Sequence, residues 1–307
     1  MFDSATETDV NHWSRLIPLA VVVVLGVCSS CSDSPSDAGP DDSASASPSA
    51  SASSTPSGSA TGTSDAFAGQ VTIEDGRDLF LQCSGTGSPT VVLEGGDDDT
   101  SQSYAYGFDH LAAVTRTCTY DRANLGQSDP DSRCRGLREL VSDLEHVLRA
   151  GEVPDPYVLV GTSGGGHITA GYAVEHANQI SGMVFVEVPP PFPNPPADLV
   201  AETQCDAPGN IESTDYLQVE RDAWKARRKI GDIPVTVISN RYSPGEVAAA
   251  PPVERPLLRD NVELQRGWLV LSPRAKQVVV RTGHAVEESD PELVIDAILA
   301  VVEDARA

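Results

Sequence analysis

The chain is poor in positive charge: lysine and arginine number 21 against 45 aspartates and glutamates, a formal net charge of -24. Recognition of nucleic acid begins with a basic surface, so no nucleic-acid partner is expected. Long apolar runs are scarce as well. The run from Leu16 to Val27 is about a dozen residues, short of the roughly 20 that a membrane-spanning helix needs. The chain carries no internal repeat, which excludes a solenoid or propeller array. Outside the amino-terminal region no two cysteines have zinc-finger spacing, so neither a structural metal nor any other cofactor is expected.

What is present at the amino terminus reads as an export signal. Few charges of either sign precede the short apolar run, Arg15 being the only basic residue, and its length suits a signal-peptide core. Cys28 and Cys31 follow directly. A cysteine behind such a core, preceded by small residues, resembles the bacterial lipoprotein signal, in which the cysteine is lipid-modified and becomes the new amino terminus. Ser29 and Ser30 favour Cys31 as the lipidation site; Cys28 has Leu25 at a suitable position but the bulkier Val27 beside it. An ordinary secretory signal or an uncleaved anchor is the alternative.

Residues 1–31 therefore read as a signal peptide with a lipobox-like end. Residues 32–66 collapse to Ser, Ala, Pro, Asp, Gly and Thr and read as a disordered tether, because nothing there can bury enough surface to offset the entropy of ordering. Residues 67–307 are enough for one domain with a substantial core. The expected location is outside the cytoplasm, with membrane contact through a lipid anchor only, or secreted. Cys83, Cys118, Cys134 and Cys205 remain in the domain, an even set that suggests two disulfides in one of three connectivities.

The domain opens with a hairpin, Val71 to Glu74 and Asp78 to Cys83 around the turn dipeptide Asp75-Gly76. Strands then fit Thr90 to Glu94, Arg116 to Asp121, Tyr157 to Val160, Met183 to Val186, Val235 to Ser239 and Gln277 to Val280. Helices fit near Tyr104 to Val114, from about Cys134 to Ala150, after Ser163, near Tyr216 to Arg228 and from Ser289 onward. In the second of these, Leu137, Leu140, Val141, Leu144, Val147 and Leu148 recur at helical spacing. Strands alternating with helices imply an α/β fold, a mostly parallel sheet covered on both faces.

The stretch that carries chemistry is Tyr157 to Ala170. Gly161, Ser163 and Gly165 make a G-x-S-x-G pattern between a strand and a helix. A serine on such a strained turn exposes its hydroxyl above the sheet, and the helix behind it aims unpaired N–H groups at the place where an oxyanion would form.

Together with Val91-Val92-Leu93-Glu94-Gly95-Gly96, Tyr120 to Ser128, and Gly283-His284 followed by Asp290-Pro291-Glu292-Leu293-Val294, this stretch resembles the α/β-hydrolase superfamily over residues 67–307. The resemblance implies the α/β-hydrolase fold with a small cap, about residues 189–232, between the sixth and seventh strands. It implies Ser163 as nucleophile, His284 as base, and oxyanion-hole donors at Gly164 and Asp97. Many relatives place the triad aspartate after the strand that here ends in Ser239, but this chain continues Asn240-Arg241-Tyr242. The expected acid is therefore Glu187, at the end of the preceding strand, with Glu246 as runner-up. His167, four residues past the serine, is expected on a helix face rather than in the pocket.

The run Asp97-Asp98-Asp99 would oppose a developing negative charge unless its side chains point into water, so a solvated loop is expected there. The sharper alternative is a preference for cationic or neutral over anionic substrates. The resemblance pairs Cys83 with Cys118, on neighbouring strands, and places Cys205 in the cap, where a bridge to Cys134 would tie cap to core. The expected function is cleavage of a small-molecule carboxylic ester through a Ser-His-acid triad and an acyl-enzyme. A short-peptide amidase or peptidase and a non-catalytic binding lipoprotein are the alternatives.

Overall fold

The computed structural model describes residues 66–191, 195 and 197–307; the expected signal segment with Cys28 and Cys31, and the tether up to residue 65, lie outside the described residues. Eight strands form one sheet: β1 (Phe67–Thr72), β2 (Asp78–Ser84), β3 (Thr90–Glu94), β4 (Thr117–Tyr120), β5 (Tyr157–Thr162), β6 (Ile180–Val186), β7 (Val235–Asn240) and β8 (Ala275–Val280). Their order across the sheet is β1-β2-β4-β3-β5-β6-β7-β8. The opening hairpin turns at Gly76, whose φ of 87° suits a residue without a side chain. β1 and β2 pair antiparallel, β2 meets β4 antiparallel, and every pairing from β4 to β8 is parallel. β3, β5 and β7 are buried at every position, as strands covered on both faces must be.

The nine described helices are α1 (Ala105–Ala112), α2 (Leu137–Ala150), α3 (Gly165–Glu175), α4 (Ala197–Glu202), α5 (Tyr216–Ala226), α6 (Pro244–Ala249), α7 (Arg255–Gln265), α8 (Val286–Ser289) and α9 (Pro291–Arg306). Alternation along the strands divides the core in two. Val92, Leu159, Met183 and Phe185 face α2, α3 and α5; Val91, Leu93, Val158 and Val160 face α1 and α9. The apolar stripe read along α2 is the face it buries, and each such side chain contributes roughly 1.5–3 kcal/mol. α9 begins as its sequence indicates, with the Asp290 side chain accepting from Leu293 N–H and proline in the first turn.

The stretch between β6 and β7 carries α4 and α5. α5 is more than a cover: Leu217, Val219 and Ala223 are buried, and the helix packs against α2 and α3. Cys134 is bonded to Cys205, and Cys83 to Cys118, its register partner across β2 and β4. Beside the first bridge, Arg135 N–H donates to Ser213 O and Asp215 N–H to Arg135 O, each at 2.9 Å. Helices α4, α6, α7 and α8 have no counterpart in the sequence reading. α7 matters most here, because it lies against β7 and presents Asn261 and Gln265 to the end of β6.

Candidate active site

The turn from β5 into α3 places Ser163 at φ 48°, a conformation rare for a side-chain-bearing residue, with its N–H held by Val186 O at 2.9 Å. The glycines around it are sterically required. A Cβ at Gly161 would lie 2.5 Å from Gly166 Cα, and one at Gly165 would lie 2.2 Å from Gly95 O. The first turn of α3 thus lies directly against the loop that leaves β3.

His284 comes from the loop after β8, behind Gly283 at φ 95°. Its Nε2 lies 3.0 Å from Ser163 Oγ, so the structure brings together two residues 121 positions apart. The ring keeps access to solvent. The protein around it nonetheless removes enough water to push its pKa below the usual histidine value, an effect opposed by the Asp99 carboxylate.

Neither expected acid bonds the base. Glu187, buried and at φ 49°, accepts from Asn240 N–H at 2.9 Å, Tyr242 hydroxyl at 3.1 Å, Asn261 Nδ2 at 2.8 Å and Gln265 Nε2 at 2.6 Å. Burial lifts its pKa to about 7 against the pull of those donors. Among the described residues, none of its hydrogen bonds goes to His284. Glu246 closes a capping box with Ser243 at the start of α6.

The residue that reaches the base loop is Asn240, at the end of β7. Its Oδ1 accepts from Thr282 N–H at 3.0 Å and Gly283 N–H at 3.2 Å. The sequence signal for it was the missing carboxylate at this position. Asn261 and Gln265 had no signal, since amides on an amphipathic helix form no pattern that points to a site.

The loop after β3 is more constrained than a solvated run. Gly96 N–H donates to Asp99 Oδ2 at 2.8 Å, and Asp98 N–H to Glu212 Oε1 at 2.7 Å. Between them, Asp97 N–H has no hydrogen-bond partner among the described residues, and the same holds for Gly164 N–H. Buried Arg122 grips the loop from behind, donating to Gly95 O at 2.8 Å and Gly96 O at 2.6 Å while pairing with Glu94 at 2.8 Å and Glu212 at 2.7 Å.

Of the three aspartates only Asp98 is exposed, which corrects the expectation of a solvated loop. The cause is packing. A Cβ on Gly164 would lie 1.9 Å from Asp97 Oδ1, so the missing side chain there makes room for the carboxylate. Burial, then the negative charges of Glu212, Asp98 and Asp99, raise the Asp97 pKa to about 7 against Arg122. His167 is buried on α3 with Nε2 2.9 Å from Pro189 O and its ring 5.8 Å from that of Trp268, a packing position, and burial lowers its pKa to about 4.

A family model described as alpha/beta hydrolase fold matches residues 81–204. A Hormonema carpetanum protein named "Probable transporter efuK" is 26% identical over 80% of this chain and 44% of its own length. The chain spans less than half the length of the curated relatives it matches, 44% of one and 41% of another. Among solved structures, a thermophilic esterase from Thermogutta terrifontis superposes with a TM-score of 0.60 at 17% identity, over 78% of this chain and 100% of that one. The carboxylesterase CesB from Bacillus subtilis does so with a TM-score of 0.55 at 14% identity, over 77% of this chain and 91% of that one. Sheet order, the serine turn, the family match and these superpositions agree: this chain has the α/β-hydrolase fold.

Proposed function

We propose that the protein is an exported serine hydrolase that cleaves neutral or cationic carboxylic esters. The observation that carries this reading is the 3.0 Å approach of Ser163 Oγ to His284 Nε2 on a fold whose nucleophile stands at that turn. Neutral His284 takes the hydroxyl proton as Ser163 attacks the ester carbonyl. The tetrahedral oxyanion is received by the unengaged N–H groups of Asp97 and Gly164. Imidazolium then protonates the leaving alkoxide, and water, activated by the same ring, releases the acid from the acyl-enzyme. Glu187 serves as the acid behind the base, acting through Asn240 rather than by touching the ring.

Asp99, joined by Asp97 where its proton is lost near pH 7, favours substrates without negative charge. Two disulfides in the domain fit an oxidising compartment, and lipid attachment at Cys31 completes the reading of an anchored form. A fluorophosphonate probe tests the chemistry. The wild type is expected to label and Ser163→Ala to stay unlabelled; a folded wild type that never labels overturns the hydrolase reading in favour of a binding protein.

A further inference from the structure

We infer that Asn240 is the positioning residue for the base, doing through a neutral amide the orienting work that a carboxylate does when it bonds the histidine ring directly. This rests on the serine-hydrolase reading above and concerns how its base is held. Asn240 is 1% exposed and ends β7, beside the edge strand β8 whose following loop carries His284. Its backbone is fixed on both sides: N–H to Glu187 Oε2 at 2.9 Å and O from Asn261 Nδ2 at 2.8 Å.

From that anchored backbone the side-chain oxygen takes two consecutive N–H groups, those of Thr282 and Gly283. The next residue is His284. The amide orientation is dictated chemically, because turning it over would face Nδ2 against two donors. Nδ2 itself is buried without a well-formed hydrogen bond and faces the Tyr242 hydroxyl. An isosteric carboxylate would therefore keep both loop bonds, with its second oxygen accepting in place of Nδ2 beside the Tyr242 hydroxyl.

Glu187 is in this account the foundation of the arrangement: its carboxylate gathers Asn240, Tyr242, Asn261 and Gln265 at the sheet end, and Asn240 passes that fixed geometry on to the turn before the base. The path runs from Glu187 through Asn240 and Gly283 to His284 and Ser163, each step a hydrogen bond or one residue of chain. No proton moves along it. It transmits position.

The test reads the second-order rate of Ser163 phosphonylation by a fluorophosphonate, as a function of pH, in three proteins. Asn240→Leu releases the loop and is expected to lower the rate by on the order of 10²-fold, the cost of misplacing a catalytic group by about an ångström. Asn240→Asp is expected to recover labelling to within about tenfold of the wild type. It should also move the rising limb of the pH profile upward by about one unit, since a new negative charge beside the loop favours imidazolium. Of the other acidic groups around that loop, Asp99 after β3 and Glu287 on α8 are the same in all three proteins. Glu187 at the end of β6 adjoins position 240 and raises the pKa of a carboxylate placed there, so the shift of the rising limb appears only where that carboxylate ionises.

A folded Asn240→Leu that labels at the wild-type rate overturns the inference, as does a folded Asn240→Asp whose labelling falls by about 10²-fold or more at every pH. The second criterion stands even if Asn240→Leu does not fold. A wild type that fails to label is a different result, and it removes the hydrolase reading itself.

Discussion

Ser163 and Glu187 share an uncommon backbone, φ 48° and 49°, at the ends of the adjacent strands β5 and β6. Each N–H is tied to the next strand, Ser163 to Val186 O and Glu187 to Ile238 O, so the sheet itself imposes both turns. The charge state of Asp97 follows from its packing and has a consequence for rate. His284 must be neutral to accept a proton, and its pKa lies below the ordinary histidine value, so activity rises with pH through a point below about 6.5. Asp97 loses its proton near 7, and above that pH a negative charge stands beside the oxyanion. The pH-rate profile is therefore expected to be a bell centred in the weakly acidic range. Asp97→Asn should remove the alkaline limb and raise the rate at pH 8.5 relative to pH 6.5 by on the order of tenfold; a steady-state profile on a neutral p-nitrophenyl ester checks it. Ser163 was legible in the sequence because backbone sterics dictate the glycines on either side of it, and His284 because the resemblance places a base after the last strand. The sequence also offers Glu187, but not what holds it, because Asn240 and the α7 pair Asn261 and Gln265 come from two distant segments, and an amide that bonds backbone N–H groups leaves no spacing rule.

Among the elements, the contact between α3 and the loop after β3 is the tightest around the site. It exists because Gly165 lets the helix approach Gly95 O and Glu94 O, which a Cβ would meet at 2.2 and 2.6 Å. Both are backbone atoms, and backbone cannot step aside as a side chain can. Gly165→Ala is expected to cost roughly 1–3 kcal/mol of stability, read from urea midpoints, and to lower labelling by displacing the oxyanion loop. The central strands were legible as short, mostly apolar runs buried throughout, and α2 and α9 as apolar stripes at helical spacing. α4 and α6, six residues each, are too short to show one. α7 is long enough, but its buried side includes Asn261 and Gln265, so the apolar stripe that would announce it is broken by residues serving Glu187. The stretch that reads as a cap is likewise part core: α5 packs on α2 and α3, and Glu212, just ahead of it, reaches inward to pair with Arg122 and hold Asp98 N–H.

For the molecule as a whole, no described helix is long and apolar enough to cross a membrane. Its two disulfides close stretches of 35 and 71 residues. The longer one joins Cys134 to Cys205 at the place where Arg135 meets Ser213 and Asp215. Replacing Cys134 and Cys205 together with serine is expected to cost roughly 2–5 kcal/mol, measured by urea denaturation, with reducing agent no longer shifting that part of the wild-type difference. Among the described residues β8 lies at one margin of the sheet, paired with β7 alone, and the imidazole follows it, 121 positions after the serine. On the reading proposed above, a molecule still being synthesised holds its serine with nothing to activate it. Chemical competence arrives only once β8 has docked beside β7 and carried the ring to the serine.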